Sequence, residues 1–187
     1  MSTDVKTGSE WSPSSAPEAG AATDLGELSR RAFEEAFNEG KFELTDQYTA
    51  PDAVSHDPAL PPGMRDMRGP ELLRRLVQMY RNAFPDVRIT VDEVISAADK
   101  VVLRWHSEGT HRGELEGYAP TGARGSVTGI TIDHWKDGKV AESWVEWDNL
   151  GLARQIGAAP PEGSPGEKLG IRLQNLMARR MRKQNGM

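Results

Sequence analysis

There is no cysteine in the 187 residues of this chain, which excludes disulfides, thiolate nucleophiles and Cys-based zinc or iron–sulfur sites. Apolar residues are scarce, at 37% with a mean hydropathy of −0.60, so part of the chain is expected to lie outside a core. No apolar run approaches the roughly 20 residues of a membrane-spanning helix. The N-terminus lacks a basic region followed by an apolar stretch, so no secretory signal is read there. A soluble cytoplasmic protein with no membrane partner is the expectation. The net charge of −5 does not supply the concentrated basic surface that general nucleic-acid binding requires. No Ser stands in a Gly-x-Ser-x-Gly elbow, and Gly113 to Gly122 lacks the Gly-Lys-Ser/Thr ending of a phosphate loop. Histidines number four. His106 and His111, five apart on a strand-like segment, fall on opposite faces, so no metal site is expected.

What is present divides into three parts. Residues 1–23 are rich in Ser, Thr, Ala, Pro, Gly and Glu, with Trp11 as their one aromatic. Such a stretch cannot bury enough surface to offset its ordering entropy and reads as a disordered tail. Residues 24–157 read as one domain. Asp24 is an N-cap for a helix to about Asn38, with Leu25, Leu28, Ala32, Phe33, Ala36 and Phe37 in one stripe and Gly40 as its stop. A helical turn from Phe42 to Tyr48, a brief strand from Ala53 to His56 and a Pro/Gly-rich loop from Pro58 to Gly69 follow. A second helix starts at Pro70 and carries Leu72, Leu73, Leu76, Val77, Tyr80 and Phe84 on one face.

The period then changes from helical to alternating. Val87 to Val94, Val101 to Arg112, Ser126 to Trp135 and Lys139 to Asp148 read as strands, the last two joined by a turn containing Asp137-Gly138. A short helix from Leu150 to Ile156 ends at Gly157. Helices first and strands after predict an α+β fold, with helices on one face of an antiparallel sheet. Residues 158–187 form a Pro/Gly linker and an amphipathic helix from Glu167 to Lys183. In that helix six basic residues stand against one acid. It reads as a helix docked on its own domain or on a sister subunit; a membrane surface, an acidic partner and nucleic acid are the alternatives.

The segment from Phe84 to Asp148 carries a resemblance. It contains Phe84-Pro-Asp-Val-Arg-Ile-Thr-Val, Asp99-Lys-Val-Val-Leu-Arg-Trp, Gly109-Thr-His-Arg-Gly-Glu-Leu, Pro120-Thr-Gly and Val127-Thr-Gly-Ile. The turn Asp137-Gly-Lys-Val and Glu142-Ser-Trp-Val-Glu-Trp-Asp complete the set. In this order and spacing, with His56-Asp57-Pro58 upstream, residues 24–157 resemble the SnoaL-like polyketide cyclases of the nuclear transport factor 2-like superfamily. The resemblance implies a cone-shaped barrel of curved antiparallel sheet packed on N-terminal helices, with a deep apolar pocket between them. It also implies a homodimer or homotetramer assembled through the sheet. The implied activity is closure of a ring in a small hydrophobic substrate by intramolecular aldol condensation, without metal or cofactor.

An aldol closure needs a base for a carbon flanked by carbonyls and an acid for the oxygen that becomes hydroxyl; an Asp in an apolar pocket suits this, because desolvation raises its pKa. Asp148, beside Trp144 and Trp147, matches the acidic residue ending the Trp-containing strand; its alternative is an N-cap for the last short helix. The family often has an acid directly after the first Trp, and here Val145 occupies that place, with Glu146 directed to the opposite face. His134 on the penultimate strand and His111 in Gly-Thr-His-Arg-Gly are the expected assistants of Asp148. His56, Trp105, Trp144, Tyr80, Phe84 and Tyr118 are the expected substrate-binding residues, although core filling accounts equally for the rings. His106 is expected outside. Two rival readings keep the fold. One is a non-catalytic binder of a small hydrophobic ligand; the other is an isomerase, dehydratase or epoxide hydrolase, the last needing an Arg such as Arg104.

Overall fold

The computed structural model describes residues 24–184; the predicted tail 1–23 lies outside the described residues. Helix α1 spans Leu25–Glu34. Asp24 caps it, its Oδ1 accepting from the backbone N–H of Gly26 at 3.0 Å and of Glu27 at 3.3 Å. The chain continues through one wider turn, Glu35–Glu39, and stops at Gly40, whose φ of 70° is a left-handed conformation that suits glycine. Helix α2 is Glu43–Tyr48, strand β1 Thr49–His56 and helix α3 Gly69–Ala83. Strands β2 (Arg88–Ala97), β3 (Lys100–Thr110), β4 (Arg124–Lys136) and β5 (Lys139–Trp147) follow. Helices α4 (Asn149–Gln155) and α5 (Pro165–Gln184) end the described chain.

The five strands form one curved sheet in the order β1-β5-β4-β3-β2. Neighbours are antiparallel except β1, which runs parallel to β5. This is the expected α+β arrangement of a curved sheet packed on N-terminal helices, except that the sheet does not close into a barrel, because β1 and β2 remain its two edges. Helices α1 and α3 cover its inner face, α1 against β2 and β3 and α3 against β1.

Alternation along each strand decides what enters the space beneath those helices. On β4 the inward residues are Val127, Gly129, Thr131, Asp133 and Trp135; on β5 they are Ser143, Val145 and Trp147. In register, Asp133 faces Ser143 and Thr131 faces Val145, while Ser55 of β1 stands beside Ser143. Gly129 is required by its neighbour: a Cβ there would run into the six-membered ring of Trp105. The Trp105 indole in turn donates to Thr131 Oγ1 at 3.1 Å.

The core gathers Phe37, Val77, Ile89, Leu103, Trp105 and Trp135, with a second cluster of Phe84, Leu115, Leu152 and Ile156 under α4. Helix α5 departs from the docked-on-itself reading. Its apolar residues Leu169, Leu173, Leu176 and Met177 stay exposed. The bond of Arg154 to Glu167, 2.7 Å, ties its first turn to α4.

Candidate active site

Between the inner face of the sheet and the helices lies a cavity of about 210 Å³. Its walls are largely apolar, built from residues such as Phe33, Leu72, Leu76, Trp105 and Val145. Among the described residues that line it there is no Arg, Lys or His. Three carboxyls do line it, but Glu108 pairs with Arg124 at 2.8 Å. That leaves Asp133 and Asp57.

Asp133 is 9% exposed. Burial pushes its carboxyl up from the usual 3.8 to about 6, and the Ser143 hydroxyl, donating to Oδ1 at 2.5 Å, pulls the other way. Ser29 of α1 presents its hydroxyl to the same carboxyl without reaching hydrogen-bonding geometry. Ser29 Oγ and the indole nitrogen of Trp135 are both buried without a partner. Unpaired buried donors cost free energy, and these two belong to residues that line the cavity with Asp133.

Asp57 follows the last residue of β1. Its Oδ1 accepts from Ala59 N at 2.8 Å, fixing a turn directly after the strand. Burial raises its pKa, the backbone bond and the Trp147 indole act against that, and Glu146 reinforces it. On α3, Tyr80 sets its ring edge-on to Trp147, centroids 6.0 Å apart. Burial, and then the neighbouring Asp57 and Glu116, raise the phenol's pKa and hold it in the protonated, hydrogen-bond-donating form.

Of the residues singled out in the sequence, Trp105, Tyr80 and Phe84 line this cavity; the others are placed elsewhere. Asp148 is exposed and caps α4, its Oδ1 accepting from Gly151 N at 2.8 Å. His134, the residue after the inward Asp133 and so of opposite parity, sits on the outer face against Trp144, centroids 4.4 Å apart. His56 stacks on the other side of Trp144 at 4.6 Å, 3.8 Å from Glu142, in an open groove on that outer face. Tyr118 is exposed in the β3–β4 connection. His111 is fully buried, with Nδ1 3.3 Å from Thr121 Oγ1 and Nε2 unpartnered. It lies behind Phe84, centroids 5.3 Å apart, one ring removed from the cavity. Arg104 is outside with Asp92 and Glu93, each at 3.0 Å. His106 is outside as expected, 2.8 Å from Asp92. Among the described residues, no group of three or more His, Asp or Glu could hold a metal ion.

The sequence reading missed Asp133 and Asp57. Placing His134 in the pocket put Asp133 on the other face, and a one-residue error of parity exchanges every side chain of a strand. The signal was present in the pattern Val127, Gly129, Thr131, Asp133, Trp135, whose ends are a β-branched residue and a large ring suited to the interior.

The sequence profile of the SnoaL-like polyketide cyclases matches residues 27–156. Aklanonic acid methyl ester cyclase AcmA of Streptomyces galilaeus is 32% identical over 136 residues, 71% of this chain and 90% of that protein. Among solved structures, TsrD of Streptomyces laurentii is similar with a TM-score of 0.63 at 32% identity, over 72% of this chain and 96% of that one. IdmH of Streptomyces antibioticus, a proposed polyketide cyclase, is similar with a TM-score of 0.60 at 30% identity, over 72% and 99%. With this match across the whole sheet and the helices up to α4, the chain belongs to the SnoaL-like polyketide cyclase family, and its activity is of the polyketide cyclase type.

Proposed function

We propose that the protein closes a ring in an uncharged, polyketide-like carbonyl compound by intramolecular aldol chemistry, with Asp133 as the base. The observation that carries this reading is Asp133, the most deeply buried of the three carboxyls that line the apolar cavity, with its pKa raised to about 6. A base of that strength is largely ionised at neutral pH yet takes up a proton more readily than an ordinary carboxylate. The carbon it deprotonates lies between two carbonyls, so a modest base is enough. Asp133 takes the proton, the enolate carbon bonds to a carbonyl carbon of the same molecule, and that carbonyl oxygen gains a proton. The donors left unpaired at Ser29 and Trp135 suit the oxygen on which negative charge develops. Every step uses groups of the chain and substrate alone, so the reaction as proposed is independent of a cofactor.

A cavity without Arg, Lys or His offers nothing to a free carboxylate, so the substrate is read as a neutral ester or ketone. The ester in the name of AcmA, aklanonic acid methyl ester, is therefore the first probe. The test incubates that ester with the wild type and with Asp133→Asn, follows ring closure by chromatography and measures binding by quenching of tryptophan fluorescence. Closure by the wild type alone is the expected result. Equal closure by both proteins removes Asp133 from the reaction. Equal binding with closure by neither favours the non-catalytic ligand-binding reading, to which Val145 in the place of an acid also points.

A further inference from the structure

We propose that Asp57 is a second catalytic residue of the same ring closure: its carboxyl hands a proton to the acceptor carbonyl oxygen as the carbon–carbon bond forms. This rests on the reading of Asp133 above and assigns the other half of the proton traffic.

Position carries the argument first. In the parallel ladder of β1 on β5, Ser55 pairs with Ser143 and His56 with Trp144. Asp57 comes one residue after this ladder ends; its carboxyl meets the Trp147 indole of β5, and like Val145 it lines the cavity. On the other side of β5, Thr131 pairs with Val145 and Asp133 with Ser143. The two carboxyls therefore reach the cavity from either side of β5, Asp133 from β4 and Asp57 from the turn that follows β1. Two strand spacings, with a further offset along the strands because Asp133 stands opposite Ser143, separate their backbones by at least about 10 Å, room for a ring between the two side chains.

Elimination carries it second. Among the described residues, the titratable side chains on the cavity wall are Asp57, Asp133, Glu108, Tyr80 and Tyr48. Glu108 is held by Arg124, and Tyr80 keeps its proton, which makes it a hydrogen-bond donor rather than a source of protons. Tyr48, a phenol like Tyr80, packs its ring against Trp135. The two aspartates are left as the carboxyl acids free to exchange a proton.

Access carries it third. Ser55 and Asp57 also line the open outer groove, together with His56, Arg65, Trp144 and Glu146. Of the two carboxyls not held by an Arg, Asp57 is therefore the one that also meets the open groove. After a turnover Asp133 holds the proton from carbon and Asp57 has lost one. Water entering as product leaves takes the proton from Asp133, and Asp57 regains one through the groove. No net proton is consumed, as the stoichiometry of an aldol closure requires.

The groups facing Asp57 are Tyr80 from α3, Trp147 and Glu146 from β5, Arg65 from the following loop and its neighbour His56. Their balance sets the pH at which it gives up its proton.

The experiment compares pH–rate profiles for closure of aklanonic acid methyl ester by the wild type, Asp57→Asn and Asp133→Asn. Asn keeps the side-chain oxygen that Ala59 N requires, so the turn is retained; Asp57→Ser, which also keeps an acceptor, is the second variant if the first fails to fold. The wild-type rate is expected to fall on both sides of an optimum. Asp57→Asn is expected to lose roughly 10²-fold or more in rate and to lose the alkaline fall, because the group that must stay protonated is gone. An Asp57 variant with wild-type rate and both limbs intact overturns this inference, while an inactive Asp133→Asn in the same series leaves the Asp133 reading standing. An active Asp133→Asn overturns that reading first, whatever Asp57→Asn does.

Discussion

Ser143 Oγ on β5 donates to Asp133 Oδ1 on β4 across 2.5 Å, between two residues that stand opposite each other in the strand register. The bond favours the ionised carboxyl, whereas the surrounding apolar walls favour the neutral one, and the walls win: the pKa rises to about 6.

Removing that bond by Ser143→Ala takes away the one side-chain hydrogen bond that reaches the carboxylate. A hydrogen bond to a charged group contributes about 1.5 kcal/mol or more, and ~1.4 kcal/mol corresponds to one pH unit. The pH at which Asp133 ionises should therefore climb by about one unit above 6. Carboxyl-carbon NMR of labelled protein across pH 4 to 9 checks this; a midpoint that stays put would show that the hydroxyl does not set the acidity.

Stability should move with pH in a defined direction. The pKa of Asp133 is higher in the folded state than in the unfolded one, so its contribution is fully present below about pH 4 and is lost as pH rises through 6. The loss is about two units at ~1.4 kcal/mol each, or about 3 kcal/mol. Asp133→Asn carries no such charge. Urea unfolding at pH 4, 6 and 8 should show the difference in stability between variant and wild type shifting in favour of the variant, by up to about 3 kcal/mol, as pH rises. A difference independent of pH would contradict the burial of this charge.

Asp148 has a structural place. It is exposed and its carboxylate holds Gly151 N at the start of α4. Asp148→Ala should cost about 1 kcal/mol, the usual effect of a lost cap, and Asp148→Asn nearly nothing. Ring closure by either, measured per folded molecule, should stay within about twofold of the wild type. A much larger loss of closure at unchanged stability would return Asp148 to the chemistry.

Gly129 is the space that Trp105 occupies. Gly129→Val inserts three carbons where the indole already lies. Overpacking of that kind costs about 1–3 kcal/mol, and any relief would displace the Trp105 ring from Thr131 and narrow the cavity. Thermal unfolding should register the first effect. Weaker quenching of tryptophan fluorescence by the ester should register the second.

Much of the fold was legible because it is written in local signals. The cap at Asp24, the stop at Gly40, the change of period after Pro85 and the turn at Asp137-Gly138 each act within a few residues of where they stand. The opening of the sheet was not legible, because closure depends on whether β1 and β2 meet, and no residue of either strand states its distant neighbour. The site was legible in part. Trp105, Tyr80 and Phe84 lie on strongly patterned apolar faces, so their inward direction follows from the pattern. The carboxyls did not follow, since Asp133 alternates with His134 and chemistry alone favours the histidine. Packing decides otherwise: Trp135 and Thr131 share the parity of Asp133, and the outer face takes His134 beside Trp144. Asp57 was hidden by its neighbour Pro58, which marks a turn and drew attention to the loop.

The most direct test of the account is the pH dependence of kcat/KM for closure of aklanonic acid methyl ester by the wild type. That ratio reports the ionisation of the free enzyme, and the free enzyme holds Asp133 at about 6. The account predicts an acid limb that falls tenfold per unit below about pH 6, and its disappearance together with nearly all activity in Asp133→Asn. A wild-type profile that stays flat down to about pH 4.5 would contradict it, because an ordinary exposed carboxylate, and not a buried one, would then be the base.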